Sequence, residues 1–271
     1  MQEPKIIFED EDIMVVDKPS GMTVNRSDTT TGERTLQDWV EEYLGVSRVP
    51  PVRQAQGKQV SQGEKNRDLF PRGTSDILDT RDTFRDRAGI VHRLDKETSG
   101  IILVAKTPNA FTNLQAQFKE RRVKKVYIAL AHGEIKIEEG EIRVPVGRLP
   151  WNKKQFGVVA GGRDAITKYK ILNIKYKISD RGKEPLTLLE LYPETGRTHQ
   201  IRVHLKYFGH PIFGDFLYGG RKQARNDRKV LPRVFLHAAK ISFTHPQTGE
   251  TLFFESSLSD NLEKFLQTLS H

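Results

Sequence analysis

The run His92-Arg93-Leu94-Asp95-Lys96-Glu97-Thr98-Ser99-Gly100 holds the densest chemistry in the chain. A carboxylate, Asp95, lies among cations, and small polar residues and a glycine follow it. Loops at strand ends are where a scaffold places a reactive group. Spacing alone favours a plainer reading, a turn in which Asp95 accepts from backbone N–H groups. The second such run is Glu194-Thr195-Gly196-Arg197-Thr198-His199-Gln200-Ile201-Arg202-Val203-His204. Arg202 sits one residue from Ile201 and points off the apolar face of a predicted helix. His199 and His204 do not match the H-E-x-x-H spacing of a zinc enzyme, so they read as hydrogen-bonding or RNA-facing groups. No G-x-G-x-x-G, P-loop or G-x-S-x-G occurs either, which removes the usual support for nucleotide-cofactor, NTPase and serine-hydrolase readings. Cysteine is absent from all 271 residues, which excludes disulfides, a thiolate nucleophile and sulfur-ligated zinc.

The elements that must position these residues follow from hydrophobic period and turn chemistry. Lys5–Phe8 and Ile13–Val16 read as two short strands around the acidic turn Glu9–Asp12, and Lys18-Pro19-Ser20-Gly21 breaks the pattern. Thr35–Leu44 reads as a helix with Leu36, Val40 and Leu44 on one stripe. Gly89–Asp95 reads as a strand running into a loop, and Gly100–Lys106 as the strand after it. Thr107 caps a helix with Pro108 at its first position and Phe111, Leu114 and Phe118 on one face. Strands are expected at Val126–Ala131, Ile142–Val146, Thr167–Ile174, Leu186–Leu191, Val234–Ala238, Lys240–Thr244 and Leu252–Glu255. A helix is expected from Thr198, with Ile201, Leu205 and Phe208 aligned and Gly209 at its end. A last helix is capped by Ser259 and buries Leu262, Phe265, Leu266 and Leu269. Strands and helices mix without regular βαβ alternation, so the fold class is α+β. Pro50–Asp86 is polar, shows no sustained period and reads as a mobile insertion.

Lys and Arg outnumber Asp and Glu by 44 to 35, a formal charge of +9 that asks for a polyanionic partner. Three basic clusters carry much of it. They are Lys119, Arg121, Arg122, Lys124 and Lys125; Lys168, Lys170, Lys175 and Lys177; and Arg221, Lys222, Arg225, Arg228 and Lys229. With Tyr127, Tyr169 and Tyr176 interleaved, they point to phosphate contacts and base stacking on RNA. No apolar run approaches the ~18 residues of a membrane span, and the N-terminus has no signal-peptide pattern. The chain is therefore expected to be cytoplasmic, with no membrane partner.

His92–Gly100 resembles the second motif of the RluA-type pseudouridine synthases. Lys18–Gly21 resembles the family's first motif, Lys125-Val126-Tyr127 the strand of its tyrosine, and Gly196–His204 its third motif. Gly209-His210-Pro211-Ile212-Phe213-Gly214-Asp215 and Leu236-His237-Ala238 also fit, so the likeness runs in order along nearly the whole chain. It implies the pseudouridine synthase fold: a mixed, mainly antiparallel central sheet with flanking helices and an active-site cleft. It also implies isomerisation of uridine to pseudouridine in ribosomal or transfer RNA, by breaking N1–C1′ and joining C1′ to C5. The family's roles carry over as Asp95 catalytic, Arg93 extruding the target nucleotide, Tyr127 against the flipped uracil, and Arg202 paired with the aspartate.

Such chemistry is redox-neutral and implies no cofactor and no metal. A monomeric, single catalytic domain over residues 1–271 is expected, with the insertion at about 50–86 and no separate N-terminal RNA-binding domain. A non-catalytic RNA-binding or assembly factor on the same fold is the alternative. A glycoside hydrolase needs a second working carboxylate, and Glu97, the nearest candidate, is expected to point elsewhere.

Overall fold

The computed structural model describes residues 2–27, 32–45, 83–176 and 185–269. Most of the segment read as an insertion lies outside the described residues, as do Lys177 and the side chains of Lys175 and Tyr176. Residues 83–86, assigned above to that insertion, form a helical turn. Its Phe84 packs edge-on against Phe111, which explains why order begins before Ala88.

The element order is β1 (Lys5–Glu9), β2 (Ile13–Lys18), α1 (Leu36–Leu44), β3 (Ser99–Ala105), α2 (Pro108–Lys119), β4 (Lys124–His132), β5 (Glu139–Arg143) and β6 (Val146–Leu149). There follow β7 (Asn152–Val158), β8 (Ile166–Tyr176), β9 (Leu186–Pro193), α3 (Gln200–Tyr207), α4 (Arg221–Asp227), β10 (Leu236–Thr244), β11 (Thr251–Glu255) and α5 (Asp260–Gln267). Among the described residues nine strands form one sheet in the order β1-β2-β3-β10-β4-β9-β8-β5, with β11 on β10. Every pairing in it is antiparallel except β3 with β10, so the mixed, mainly antiparallel sheet expected above is present.

The parallel junction is short, Ser99 opposite His237 and Gly100 opposite Ala238. Gly100 is there because nothing larger fits. Its φ is +110°, and a Cβ would lie 2.2 Å from the Ala238 carbonyl oxygen. The glycine that ends the Asp95 loop thus lets two strands approach closely.

Apolar alternation puts Ile13, Val15, Ile101 and Leu103 on one face with α2, and Met14, Val16, Ile102 and Val104 on the other with α1. A third cluster joins β4 and β9 to α3 and α5. Thr35 and Asp38 form the capping box of α1, and Thr107 caps α2 with Pro108 at its start.

Five expectations change. Gly89–Asp95 is not a strand: only Ile90 bridges Val104, after left-handed Ala88 and Gly89 turn the chain off the sheet. Ile142–Val146 is divided between β5 and β6, because Pro145 lacks the N–H a continuing strand needs. Val234–Ala238 and Lys240–Thr244 merge into β10, with a register shift between Ala238 and Lys240. The helix placed at Thr198 begins two residues later, after left-handed His199. Ser259 flanks α5 but makes no cap hydrogen bond, because its hydroxyl accepts from Arg233 and donates to Asn261.

Candidate active site

A cavity of about 520 Å³ opens beside β4, β9 and β10, the size of a site for one nucleoside-sized group. Asp95, Arg93, Tyr127 and Arg202, singled out from separate segments, all line it, with His199 and Lys125.

The Asp95 loop is held from beneath by the first motif. Lys18 is fully buried, and its Nζ donates to the carbonyls of Pro19 (2.9 Å), Met22 (2.8 Å) and Lys96 (3.2 Å). The Gly21 N–H also donates to the Lys96 carbonyl, and the Ser20 hydroxyl donates to the Glu97 carbonyl at 2.7 Å. Desolvation, followed by the Arg233 charge, pulls the Lys18 pKa down to about 7. Glu97 turns away as expected: its carboxylate accepts from Arg228 at 2.6 Å and from the Val234 N–H at 3.3 Å. It therefore does not face Asp95 as a second working acid.

One oxygen of Asp95 is clamped and the other is open. Arg202 donates from NH1 to Asp95 Oδ2 at 3.0 Å, and through Nε (2.8 Å) and NH2 (2.9 Å) to Asp215. Burial disfavours the Arg202 charge, but the Asp215 hydrogen bond and the two carboxylate charges outweigh it and raise the pKa above the ordinary arginine value. Asp215 is fully buried and also accepts from the Leu217 and Tyr218 N–H groups. The Arg202 guanidinium lies 5.0 Å from the Tyr218 ring centroid. A guanidinium of fixed geometry thus sets its positive charge against one oxygen of the catalytic candidate in a partly buried site.

Tyr127 is placed by β4 opposite Ala238 and Leu191. Burial, and then the Asp95 charge, raise its pKa well above that of a free phenol, so it is a neutral aromatic wall. His92 accepts from the Leu103 N–H at 2.9 Å, and burial with the Lys125 charge drops its pKa to about 3. Lys125, pulled down to about 8 by burial, belongs to the cavity and not to a solvated basic face.

The rim is cationic. Exposed Arg93, Arg121 and Arg163 line it, as does half-buried Arg197. Burial first, then the neighbouring charges of Arg163 and Arg121, lower the Arg197 pKa. Like charges gathered this way suit a phosphate-bearing ligand. Arg163, Asp215 and Tyr218 were missed in the sequence. Asp215 stands thirteen positions from its guanidinium partner, beyond any local period.

Some sequence-predicted contacts lie elsewhere. Tyr169 is buried against Phe208 and offers no stacking face. His204 is fully buried, facing the Val144 carbonyl and not RNA. Lys168 and Arg228 are paired with Glu194 and Glu97. Sequence spacing cannot separate a cation with a tertiary carboxylate partner from a free one. Among the described residues no group of three or more His, Cys, Asp or Glu is placed to hold a metal ion, and no helix is long and apolar enough to cross a membrane.

Comparison with known proteins points the same way. A family profile described as RNA pseudouridylate synthase matches residues 12–207. Ribosomal large subunit pseudouridine synthase D of Nitrosomonas europaea is 35% identical over 98% of the chain and 65% of its own length. The Pseudomonas aeruginosa protein of that name is 33% identical over 99% of the chain and 71% of its length. The chain thus spans less than two thirds of the Nitrosomonas relative, and 60% of the relative from Neisseria meningitidis. The solved structure of human RNA pseudouridylate synthase domain containing 1 shares the fold, with a TM-score of 0.67 at 23% identity over 97% of this chain and 87% of that one. With the motifs in order, the fold shared and most of the chain inside the family profile, this chain belongs to the RNA pseudouridylate synthase family.

Proposed function

We propose that this protein isomerises uridine to pseudouridine in RNA, with Asp95 as the catalytic carboxylate. The observation that carries the reading is the half-clamped Asp95. Arg202 holds Oδ2, and Oδ1 looks into a cavity walled by Tyr127. A uridine must leave its stack to reach this carboxylate, at a cost of a few kcal/mol. Arg93, exposed at the mouth, takes the vacated place in the stack and meets phosphates, while Tyr127 packs against the flipped uracil. Asp95 then acts on the sugar, by attack on C1′ or by removal of the C2′ proton. Either route needs an ionised carboxylate with one unhindered oxygen. The uracil is both leaving group and acceptor, so the reaction needs no cofactor, metal or oxidant. The names of the relatives favour ribosomal RNA of the large subunit as substrate. The reading takes the protein to act as a cytoplasmic monomer, with most of residues 50–86 as an insertion in its catalytic domain.

Mapping pseudouridine in cellular RNA with and without this gene tests the proposal. At least one site is expected to disappear and to return with the wild-type gene but not with Asp95→Asn. Restoration of every site by Asp95→Asn would establish the RNA-binding alternative instead.

A further inference from the structure

The mechanism above gives no task to His199, which lines the cavity next to Asp95. His199 stands at the start of α3 in a left-handed conformation (φ 56°, ψ 19°), and no side-chain cap satisfies the helix there. A non-glycine residue in this region is strained, and such strain gathers where geometry matters more than local stability. The ring is held edge-on by Phe156 and Tyr218, each with its centroid 5.7 Å away.

Its hydrogen bonds fit a proton on Nε2. The Phe156 N–H donates to the Tyr218 hydroxyl oxygen at 3.1 Å, and among the described residues His199 Nδ1, at 2.8 Å, is the acceptor within reach of the hydroxyl hydrogen. A neutral imidazole that accepts at Nδ1 carries its hydrogen on Nε2. Burial keeps the ring neutral by lowering its pKa; Asp95 and Asp215 oppose that shift, and Arg202 and Arg93 reinforce it. Nε2 points toward Asp95 Oδ1 from 3.8 Å, too far for a hydrogen bond. Among the described residues this N–H therefore has no acceptor, and it lies beside the one open oxygen of the catalytic carboxylate.

We propose that His199 is a further catalytic residue, whose Nε2–H donates a hydrogen bond to uracil O2 as the N1–C1′ bond breaks. The inference rests on the function proposed above. When that bond breaks, its electron pair stays with the uracil and spreads from N1 onto O2 and O4. O2 is the carbonyl beside the breaking bond, so a donor next to the group acting on the sugar reaches it. No proton moves: Nε2 keeps its hydrogen. The interaction weakens again once C1′ has joined C5, because that bond takes up the electron pair and leaves the uracil neutral. The C5 proton then passes to solvent while N1 takes one from solvent, so the product is neutral as well. A donor of this kind binds the charge that develops in the transition state more tightly than it binds the ground state.

The test uses an RNA segment containing a site mapped as above, with the target uridine either unmodified or replaced by 2-thiouridine, whose sulfur is a poor acceptor. Single-turnover rates are measured for wild type, His199→Ala and His199→Gln, and melting confirms folding. His199→Ala is expected to lose on the order of 100-fold in rate with RNA affinity unchanged. His199→Gln, which retains an N–H donor, is expected to recover part of that loss. The thio substitution should slow wild type by roughly tenfold, the worth of one hydrogen bond, and leave His199→Ala almost unaffected. An equal thio effect in wild type and His199→Ala overturns the proposal, as does an Ala variant within threefold of wild type. Should His199→Ala not fold, His199→Leu, which has no donor, takes its place, and an undiminished thio effect in that variant overturns the proposal. A wild-type protein that forms no pseudouridine would instead sink the function on which the inference stands.

Discussion

Replacing Asp215 by Asn separates the geometry of the Arg202 clamp from its charge. Asp215 is fully buried, with Oδ2 accepting from Arg202 Nε and Oδ1 accepting from Arg202 NH2 and from two backbone N–H groups. Asn keeps the volume but has one acceptor oxygen. With that oxygen at the Oδ1 position, the amide NH2 meets Arg202 Nε–H donor to donor. The fork loses one charge-assisted bond, and a buried guanidinium keeps only half-exposed Asp95 as a charged partner. Together these cost about 2–4 kcal/mol. In a domain of this size each kcal/mol lowers Tm by about 2–4 °C, so a fall of roughly 5–15 °C is expected. Release of the fork also lets the guanidinium turn away from Asp95 Oδ2, and a misplacement of about 1 Å costs up to ~100-fold in rate. Calorimetric melting measures the first effect. Loss of tritium from RNA labelled at uridine C5 measures the second, because each turnover replaces C5–H by C5–C1′. RNA affinity should hold, since Asp215 has no exposure to ligand. A variant melting within 2 °C of wild type and turning over within threefold of it would refute the claim that Asp215 positions Arg202 and, through it, Asp95.

Three further outcomes follow from the same geometry. The His92 pKa of about 3 lies below its ordinary 6.5, so the folded state binds fewer protons than the unfolded one between those values. Stability is then full above about 6.5 and falls as the pH is lowered toward 3, by about 1.4 kcal/mol per unit from this group. Melting from pH 7 to pH 5 should show a fall that His92→Gln reduces; an unchanged slope in the variant would exclude His92 as its source. Gly100→Ala would put a Cβ 2.2 Å from the Ala238 carbonyl oxygen at φ +110°, and a loss of at least ~3 kcal/mol, or insoluble protein, is expected on denaturant titration. In the Arg163→Gln, Arg197→Gln double variant, the salt dependence of binding to an RNA hairpin should flatten by about one unit of slope per phosphate contact removed. An unchanged slope would remove both side chains from the RNA-facing rim.

Much of the architecture was legible because it is local. The capping box at Thr35 and Asp38, Thr107-Pro108 before α2 and the near-continuous apolar runs of β2, β3 and β9 each depend on a few adjacent residues. Local reading failed where a distant partner outweighed local preference. Gly89–Asp95 has strand composition, but left-handed Ala88 and Gly89 steer it off the sheet and into the cavity. Ser259 looks like a helix cap, but Arg233, 26 positions earlier, takes its hydroxyl. Tyr169 sits among lysines in sequence and in the core in space, because β8 alternates.

By itself the sequence determined most of the element types, the fold class and the absence of thiol chemistry, and motifs shared with a family singled out Asp95, Arg93, Tyr127 and Arg202, which the fold brings to one cavity. Only the tertiary structure decided which oxygen of Asp95 is open, that Arg202 is shared with Asp215, and that Arg163 and Arg197 come together on the rim. It also brought the Tyr218 hydroxyl to His199 Nδ1 and left Nε2 facing Asp95. The physical reason is range. Propensity, capping and hydrophobic period act over a few residues along the chain. Charge pairing and hydrogen-bond direction act over a few ångströms in space, and here they join residues as far as 235 positions apart.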